Sequence, residues 1–431
     1  MNALLFHEDL TSIDSSRISD AIGPGDYMHI AMLSAEYPPR WGGMGSTVFH
    51  LSTALVAQGH RVTVITRNGG KGNPPELDGV SVRMVGWARI PMAFTRSYGK
   101  SALKELRRLH SEDPVDIVHL HCPMISWSKK QFEICKREVS PVVSSLHGSW
   151  LGERDGLRIA SKQKEAAVWA NPNDIAILLT GGFYSKFERA ALHSSSICVA
   201  NSQATRQDFV DRYSPPDDWD CEVVHWGVDT NMFSPLESED DDSIRQKYGV
   251  SGSGKLLLAV GRLAARKGYA SLLRSFAKVN PQSNDIRLVI VGRGHLRKRL
   301  EKLASKLGIR ESVTIESGMP FEELASLFRS ADLVVYPSYY EGQGLIPLEA
   351  MASGTPVITV NHGPLPEMVD DSVGRLFKMG DCDSMAAAIL DEINDVDGLK
   401  SKGIVGRSRV LEKFTYEINA TRFSEIYQRV M

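Results

Sequence analysis

Short apolar runs alternate with amphipathic stretches along most of the chain, and this alternation restricts the fold more than any other feature. Residues 256–260, 288–291 and 333–336 are apolar throughout, and the stretches between them carry apolar residues at helical spacing. Continuous apolar runs of this length are typical of strands that crossover helices bury on both faces. The pattern therefore predicts an α/β protein built on parallel sheets.

A break in composition after Phe233 divides this pattern into two halves. Ser234 and Pro235 lead into the acidic run of residues 237–242, where like charges repel one another and resist packing. Both halves keep the strand–helix alternation, whereas residues 1–27 are polar, and we expect them to form an extension outside the core. Because 431 residues are enough for two cores, we predict two parallel-sheet domains around a cleft.

Charge and cysteine content exclude several classes of protein. The 50 basic side chains nearly balance the 52 acidic ones, which argues against a polyphosphate-binding surface spread over the whole molecule. The five cysteines are an odd number without a CxxC pair, which favours a reducing compartment over a disulfide framework. No apolar run is long enough to cross a bilayer and no signal peptide is evident, so we expect a cytoplasmic protein.

Glycines and charged residues follow the predicted strands of the second half, at the edge where parallel sheets bind ligands. Glycine permits close backbone approach, and cationic side chains beside helix N-termini suit a diphosphate. Glu349 stands eight residues after Glu341 and could accept hydrogen bonds from a ribose diol. The residues that converge at this edge are Gly261, Arg262, Lys267, Gly292, Gly294, Gly318, Met319, Glu341, Gly344 and Glu349.

Each of these features also has a purely structural explanation when it is taken singly. Gly292 and Gly294 lack the third glycine of a dinucleotide fingerprint. Arg262 and Lys267 could be surface cations, and Glu349 could complement a helix dipole. Their joint occurrence at successive strand ends is what favours a nucleotide-diphosphate site.

Residues 341–357, with the sequence EGQGLIPLEAMASGTPV, carry the most specific resemblance to a known family. They resemble the E-x7-E segment of retaining glycosyltransferases of the GT-B fold, in the large group often called family 4. The resemblance extends over residues 28–431. It is carried further by Gly42-Gly43-Met44-Gly45 as the glycine-rich loop, His147 as the donor-side histidine, Arg262 with Lys267 as the pyrophosphate-binding pair, residues 223–229 as the entry to the linker, and residues 414–427 as the last helix.

The resemblance implies two Rossmann-like domains that face each other across a cleft. After the extension of residues 1–27, residues 28–234 would form the acceptor-side domain and residues 235–412 the nucleotide-sugar-binding domain. Residues 413–431 would form a helix that crosses back to the N-terminal domain.

The resemblance also implies an activity. Such enzymes move a hexose-type sugar from a nucleotide-diphosphate sugar to a hydroxyl of a glycan or lipid acceptor, with retention of configuration and without a bound metal or other cofactor. The leaving phosphate is thought to help deprotonate the acceptor. This chemistry depends on leaving-group electrostatics and positioning, which clustered cations and backbone amides supply.

Individual roles follow from the same resemblance. Arg262 and Lys267 would neutralise the diphosphate, and Glu349 would hold the ribose hydroxyls. Glu341 would hold the donor sugar, and His147 would reach the sugar or its phosphate from across the cleft, so that these two residues join the two cations as the catalytic group. The donor-binding residues would be Gly43, Arg262, Lys267, Gly292, Gly318, Met319, Glu341, Gly344, Leu345 and Glu349, of which Gly344 and Leu345 would act through backbone amides.

Two positions depart from the family pattern. Gln343 stands where the family commonly has phenylalanine, which affects the packing around the donor sugar. Trp226 stands where asparagine is usual in the Asn-Gly-Val-Asp segment, which affects the contacts at the hinge.

Metal binding is an alternative for several other residues. A GT-A-type transferase would bind Mn or Mg through an Asp-x-Asp pair, but helix capping or solvent exposure explains the pairs better, with Asp383 as a natural N-cap. His119 and His121 share one face of a strand and could bind zinc, yet no third ligand is evident and packing at the strand end is the better interpretation. The acidic pairs are Asp218 with Asp220, Asp381 with Asp383, and Asp395 with Asp397.

A basic stretch over residues 89–137 has two interpretations. It is either a solvated face or a surface for peripheral association with the cytoplasmic face of a membrane that carries a lipid-linked acceptor. Its cations are Arg89, Arg96, Lys100, Lys104, Arg107, Arg108, Lys129, Lys130, Lys136 and Arg137.

Four other functions compete with glycosyl transfer. A GT-B sugar-nucleotide epimerase or a phosphorylase-like enzyme would share the architecture. A non-catalytic subunit would keep the fold but would be expected to lose site residues that this chain retains. An NAD-dependent dehydrogenase is disfavoured because no complete GxGxxG follows a strand. The expected partners are thus a nucleotide-sugar donor and a glycan or lipid-linked acceptor, and no nucleic acid.

Overall fold

The computed structural model describes residues 27–40, 42–69, 72–165, 168–236, 241–279 and 285–431. This part of the chain forms one seven-stranded and one six-stranded sheet. Most of the predicted N-terminal extension and residues 237–240 of the acidic run lie outside the described residues.

Both sheets are parallel, with their strands in crossover order. The first has the order β3-β2-β1-β4-β5-β6-β7 and contains β1 (His29–Leu33), β2 (Arg61–Arg67), β3 (Val80–Val85), β4 (Ile117–Cys122), β5 (Val142–Leu146), β6 (Ile197–Ala200) and β7 (Cys221–Val223). The second has the order β10-β9-β8-β11-β12-β13 and contains β8 (Lys255–Val260), β9 (Ile286–Val291), β10 (Val313–Glu316), β11 (Leu333–Tyr336), β12 (Val357–Val360) and β13 (Gly374–Phe377). The predicted pair of Rossmann-like domains is confirmed.

Helices cover the faces of the two sheets. In the first half they are α1 (Gly43–Ala57), α2 (Ala93–Glu112), α3 (Lys129–Glu138), α4 (Trp150–Lys162), α5 (Pro172–Ser194) and α6 (Gln203–Tyr213). In the second half they are α7 (Asp241–Lys247), α8 (Tyr269–Val279), α9 (Arg297–Lys306), α10 (Phe321–Ser330), α11 (Leu345–Ala352), α12 (Cys382–Asn394), α13 (Val396–Lys413) and α14 (Tyr416–Val430).

Burial of the strands explains why the apolar runs predicted them. Every residue of β1, β4, β5, β11 and β12 is buried. The edge strands β3 and β7 are only partly covered, since each has a neighbouring strand on one side.

The last helix, α14, crosses back and packs against the N-terminal domain. Thr415 caps it by accepting a hydrogen bond from the Ile418 amide at 3.3 Å. Phe423 and Tyr427 are fully buried against the first sheet, and the Tyr427 hydroxyl lies 2.8 Å from Nδ1 of His119 in β4. The returning helix that the resemblance implies is therefore present.

Asn419 on α14 holds the segment that links the two domains. Its Oδ1 accepts a hydrogen bond from the Gly227 amide at 2.5 Å, and its Nδ2 donates to the His225 carbonyl at 2.6 Å. Asn419 is 1% exposed, so no other group can replace these contacts easily. The link between linker and return helix is thus a pair of buried hydrogen bonds.

Replacing Asn419 tests this link. Asn419→Ala leaves two buried backbone groups without partners, and we expect the free energy of unfolding in urea to fall by roughly 2–4 kcal/mol. The matched control is Glu425→Ala on the same helix, where the side chain is 54% exposed and the change should stay within about 0.5 kcal/mol. Equal losses in the two variants would contradict the assignment.

Candidate active site

The carboxyl ends of β8 and β11 bring Lys267 and Glu341 into contact at the cleft. Lys267 Nζ donates to Glu341 Oε1 and to the Tyr336 hydroxyl at 2.8 Å. Glu341 Oε1 also accepts from the Tyr336 and Ser338 hydroxyls at 2.7 and 2.5 Å. Burial alone would raise the pKa of Glu341, but the cations Lys267 and Arg266 lower it to about 2. Glu341 is therefore a carboxylate at neutral pH.

The two arginines near Lys267 have different surroundings. Arg266 Nε lies 3.1 Å from Glu153 Oε1, and Arg266 Nη1 lies 3.8 Å from Glu341 Oε1. Arg266 was not among the predicted site residues, and its partner Glu153 lies more than a hundred residues earlier in the chain. Arg262 is exposed and forms no ion pair with the described residues. Of the three cations in this turn, Arg262 is the one without an ion pair among the described residues.

Two helix N-termini, one from each domain, face each other across the cleft. α1 begins after Gly42 and α11 begins after Gly344, and neither cap residue offers a side chain to the free amides. A Cβ atom built on Gly43 would lie 4.0 Å from Leu345 Cδ1, which places the two helix ends together. Side-chain oxygens cap α4, α5, α6, α12, α13 and α14, whereas α2, α9 and α10 also begin without a side-chain cap. Uncapped helix N-termini attract anions.

Glu349 lines a small pocket of about 20 Å³ that three parts of the chain enclose. Ser46 and His50 come from α1, Asp229 from the linker and Tyr416 from α14. Within the described residues, the Glu349 carboxylate has no hydrogen-bond or ion-pair partner. Burial raises its pKa to about 7. A half-buried acceptor without a protein donor is suited to a ligand that brings hydroxyl groups.

The glycines after β9 and β10 lie on the same sheet edge, one and two strands away from β8. A Cβ on Gly292 would lie 1.8 Å from the Gly261 carbonyl oxygen, so packing between these two turns already requires glycine there. Gly318 has φ of +115°, and a Cβ would meet the Arg293 side chain at 2.9 Å. Met319 beside it is half-buried. Their role in binding a base stays a prediction.

His147 follows β5 and lies directly opposite the C-terminal domain. A Cβ on Gly342 would lie 2.1 Å from the His147 carbonyl oxygen, so the two backbones are in close contact. The His147 ring stacks on Trp226 with ring centroids 4.9 Å apart, and its Nε2 lies 2.9 Å from Nδ1 of His121. Burial lowers the pKa of His147 to about 3, which makes the ring neutral at neutral pH.

The two departures from the family pattern contact each other. Gln343 Oε1 accepts from the Trp226 amide at 2.6 Å, and Gln343 Nε2 donates to the Trp226 carbonyl at 3.0 Å. Both residues are buried. The Trp226 ring stacks on Phe423 of α14 as well as on His147, with centroid distances of 5.4 and 4.9 Å. Gln343 thus joins the donor-side loop to the hinge and to the returning helix.

Tyr340 of the same loop inserts into a glycine-lined groove on the N-terminal domain. The Ser149 amide donates to its hydroxyl at 2.7 Å. A Cβ on Gly152 or on Gly156 would lie 2.5 Å from Tyr340 atoms, and one on Gly148 would lie 3.0 Å from its hydroxyl. The groove therefore accepts the aromatic ring only because these positions lack side chains.

The acidic pairs and the strand histidines have structural partners. Asp381 Oδ1 caps α12 by accepting from the amides of Asp383 and Ser384 at 3.0 Å; the prediction of Asp383 as the cap was wrong, because Asp383 already lies in the first turn. His119 binds the hydroxyls of Ser145 and Tyr427 at 2.6 and 2.8 Å. In the described chain, no cluster of three or more His, Cys, Asp or Glu side chains could hold a metal ion.

The fold is that of GT-B glycosyltransferases. The sucrose-phosphate synthase of Thermosynechococcus elongatus has a TM-score of 0.74 and 21% identity over 93% of this chain and 98% of that one. HepE of Anabaena, in complex with UDP and glucose, has a TM-score of 0.69 and 18% identity over 94% of this chain and 100% of that one.

Family models and relatives define the class more closely. The model described as "Glycosyltransferase Family 4" matches residues 41–232, and "Glycosyl transferases group 1" matches residues 240–401. The chain belongs to this family and is a glycosyltransferase. None of the helices in the described residues combines the length and apolar character that a bilayer crossing requires.

Similar proteins with curated names cover almost the whole chain. An uncharacterized glycosyltransferase of Methanocaldococcus jannaschii is 28% identical over 94% of this chain and 99% of its own length. The MMP alpha-(1->4)-mannosyltransferase of Mycolicibacterium hassiacum is 27% identical over 94% and 98%. The D-inositol 3-phosphate glycosyltransferase of Thermobispora bispora is 27% identical over 90% of each chain.

The raised pKa of Glu349 predicts a pH-dependent cost to folding. The pKa of Glu349 is about 7 in the folded chain, above the ordinary value of 4.5. Between pH 4.5 and pH 7 the unfolded chain therefore releases this proton more readily than the folded chain, and the free energy of unfolding falls as the pH rises. Above pH 7 the loss is constant. Glu349→Gln should therefore raise the free energy of unfolding at pH 8 by about 1–3 kcal/mol more than it does at pH 5. Urea unfolding at both pH values, with the exposed Glu412→Gln as control, measures this. An equal effect at pH 5 and pH 8 would rule it out.

Proposed function

We propose that the chain is a retaining glycosyltransferase that transfers a hexose-type sugar from a nucleotide-diphosphate sugar to a hydroxyl of a glycan or lipid acceptor. One observation carries this proposal: the uncapped N-termini of α1 and α11 meet at the cleft, at the sheet edge where Arg262 follows β8, the neighbour of β11. Backbone amides, helix dipoles and a free guanidinium together suit a diphosphate leaving group.

We propose for the site residues the roles that the family resemblance implies. Arg262 and Lys267 neutralise charge on the departing diphosphate, which lowers the barrier to breaking its bond to the sugar. Glu349 accepts hydrogen bonds from the ribose hydroxyls. Glu341, held as a carboxylate by its cationic neighbours, accepts from hydroxyls of the donor sugar, and the neutral His147 donates to the sugar or its phosphate. We propose no metal or other cofactor.

Named relatives support a nucleotide-sugar donor without selecting the acceptor. HepE of Anabaena was captured with UDP-glucose, and other relatives are named as mannosyltransferases, glycogen synthases and inositol phosphate glycosyltransferases. These acceptors differ in chemistry, and all of them present a hydroxyl group. The base, the sugar and the acceptor of this chain are therefore assigned only as classes.

Epimerase and phosphorylase chemistry are distinguished from glycosyl transfer by their products. A transferase releases a nucleoside diphosphate and forms a new glycoside with an acceptor. An epimerase uses no acceptor, so its products are a nucleotide or a sugar and no new glycoside forms. The retention of Arg262, Lys267, Glu341, Glu349 and His147 argues against a non-catalytic subunit.

Donor binding gives the decisive test. In a thermal-shift screen, UDP-, GDP- or ADP-sugars should raise the melting temperature by mass action. Arg262→Ala should weaken donor or transition-state binding about ten- to a hundredfold, because a charge-assisted contact contributes roughly 1.5–3 kcal/mol. The matched control is Arg299→Ala, an exposed cation on α9. If Arg262→Ala and Glu349→Ala both bind and turn over donor like the unsubstituted chain, the site is elsewhere.

Peripheral membrane contact through residues 89–137 is a secondary proposal. Some cations of this stretch already form ion pairs within the chain, so fewer of them are left for a membrane. Arg107 and Arg137 pair with Glu138, and Arg108 pairs with Glu105 and Glu112, so three of the ten cations are already balanced. The exposed cations without an ion pair among the described residues are Arg89, Arg96, Lys100, Lys104, Lys129, Lys130 and Lys136.

Liposome flotation tests the remaining charge. With anionic vesicles, the chain should float at low salt and be released at high salt, because this attraction is screened within a Debye length. Neutral vesicles and the variant Lys129→Glu with Lys130→Glu are the controls. No flotation at low salt rejects the membrane contact and leaves a solvated face.

A further inference from the structure

His121 lies in β4 between two other histidine rings, and one of its nitrogens has no partner. Its Nδ1 lies 2.9 Å from Nε2 of His147, while its Nε2 is buried and makes no hydrogen bond with the described residues. The neighbouring His119 stacks on it with ring centroids 4.3 Å apart. His119 uses both of its own nitrogens with Ser145 and Tyr427, so it offers His121 no hydrogen bond.

The hydrogen between His121 and His147 can be assigned to one of the two rings. A neutral imidazole carries a single N–H, and burial lowers the pKa of both residues, so exactly one of the two nitrogens in contact donates. If His147 Nε2 donated, His121 would carry its hydrogen on the buried Nε2, where nothing accepts it. If His121 Nδ1 donates, its Nε2 is instead a bare acceptor. A buried N–H without an acceptor is rarer in proteins than a buried acceptor without a donor. His121 Nδ1 is therefore the donor in this contact.

Trp226 supports the same assignment. Its Nε1 is always a donor, is buried, and has no partner among the described residues. The rings of Trp226 and His121 are 6.2 Å apart between centroids. With the indole N–H already unpaired in this region, a hydrogen on His121 Nε2 would leave two buried donors without an acceptor, whereas a bare Nε2 leaves only one.

We propose that His121 is a positioning residue that holds His147 in the tautomer with its hydrogen on Nδ1. His147 Nε2 accepts from His121, and stacking on Trp226 fixes the plane of the ring. His147 Nδ1 has no partner within the described chain and is not enclosed, so its N–H is available at the cleft. The inference rests on the proposed function, in which this N–H donates to an oxygen of the sugar donor.

The tautomer can be measured without substrate. In ligand-free protein carrying ¹⁵N-labelled histidine, long-range ¹H–¹⁵N spectra distinguish protonated from bare ring nitrogens, and the signals missing from His147→Gln assign His147. The expected spectrum shows His147 with Nδ1 protonated and Nε2 bare at neutral pH. Protonation on Nε2 would overturn the proposal. This readout is independent of whether the donor has been identified, so a failure of the proposed function leaves it intact.

Two substitutions at position 121 test the consequence for turnover. His121→Asn keeps an N–H near the position of Nδ1, and kcat should stay within about threefold of the original value. His121→Leu removes the donor, and kcat should fall roughly ten- to a hundredfold while KM for the donor changes little, because a misoriented group loses most of its effect in the transition state. Equal losses in the two variants, or no loss in either, contradict a positioning role.

A matched control separates positioning from packing. His119→Phe keeps a stacked ring next to His121 but loses the bonds to Ser145 and Tyr427. It should lower the melting temperature and leave the His147 tautomer unchanged. A changed tautomer in His119→Phe would show that packing of the whole cluster, rather than the His121 hydrogen bond, determines the state of His147 and would overturn the proposal.

Discussion

The close approach of Gly342 to the His147 carbonyl is the contact on which the rest of the cleft depends. A Cβ at position 342 would lie only 2.1 Å from that oxygen, so glycine alone lets the loop of residues 338–344 lie directly against the end of β5. The Gly342 carbonyl then accepts from the hydroxyls of Ser202 and Thr205 at 2.8 Å. Gly342 of the C-terminal domain therefore contacts three groups of the N-terminal domain: the His147 carbonyl and the two hydroxyls. The residues on either side of Gly342 point to opposite domains. Glu341 points back to the C-terminal sheet, and Gln343 points across to the hinge.

This arrangement concentrates uncompensated positive charge where the two domains meet. Gly344 ends the loop with φ of +99° and starts α11 without a side-chain cap, which leaves its first amides directed at the cleft. Glu341 balances Lys267, and Glu153 balances Arg266. Arg262 forms no ion pair with the described residues, and the first amides of α11 have no side-chain cap, whereas the Glu36 carboxylate lies beside Gly42 at the start of α1. Glu349 is the opposite case, a half-buried acceptor without a donor from the described chain. Buried or clustered groups left unsatisfied by the protein are those that a ligand of complementary chemistry satisfies. A nucleotide sugar, with an anionic diphosphate and ribose hydroxyls, has both.

Features that repeat locally could be predicted from the sequence, and features that join distant segments could not. The two parallel sheets follow from periodicity within short windows, and the E-x7-E segment is contiguous. Arg266 was missed because its partner Glu153 comes from another domain. The contact between His121 and His147 was missed for a related reason: the pattern within β4 shows two histidines on one face, but only the pairing of β4 with β5 places His147 against the second of them.

The pairing of Gln343 with Trp226 shows why two departures from a family pattern should be interpreted together. They are 117 residues apart, and taken singly each one looked like a local change in packing. In the structure the Gln343 amide satisfies both the N–H and the C=O of Trp226, two backbone groups that would otherwise be buried without partners at a cost of about 1–3 kcal/mol each. A phenylalanine at 343 could satisfy neither group. The hinge that carries Trp226 therefore requires an amide at 343, and the indole held by that amide stacks on His147. The two substitutions act as one structural unit, and that unit determines where the N-terminal domain presents its histidine to the cleft.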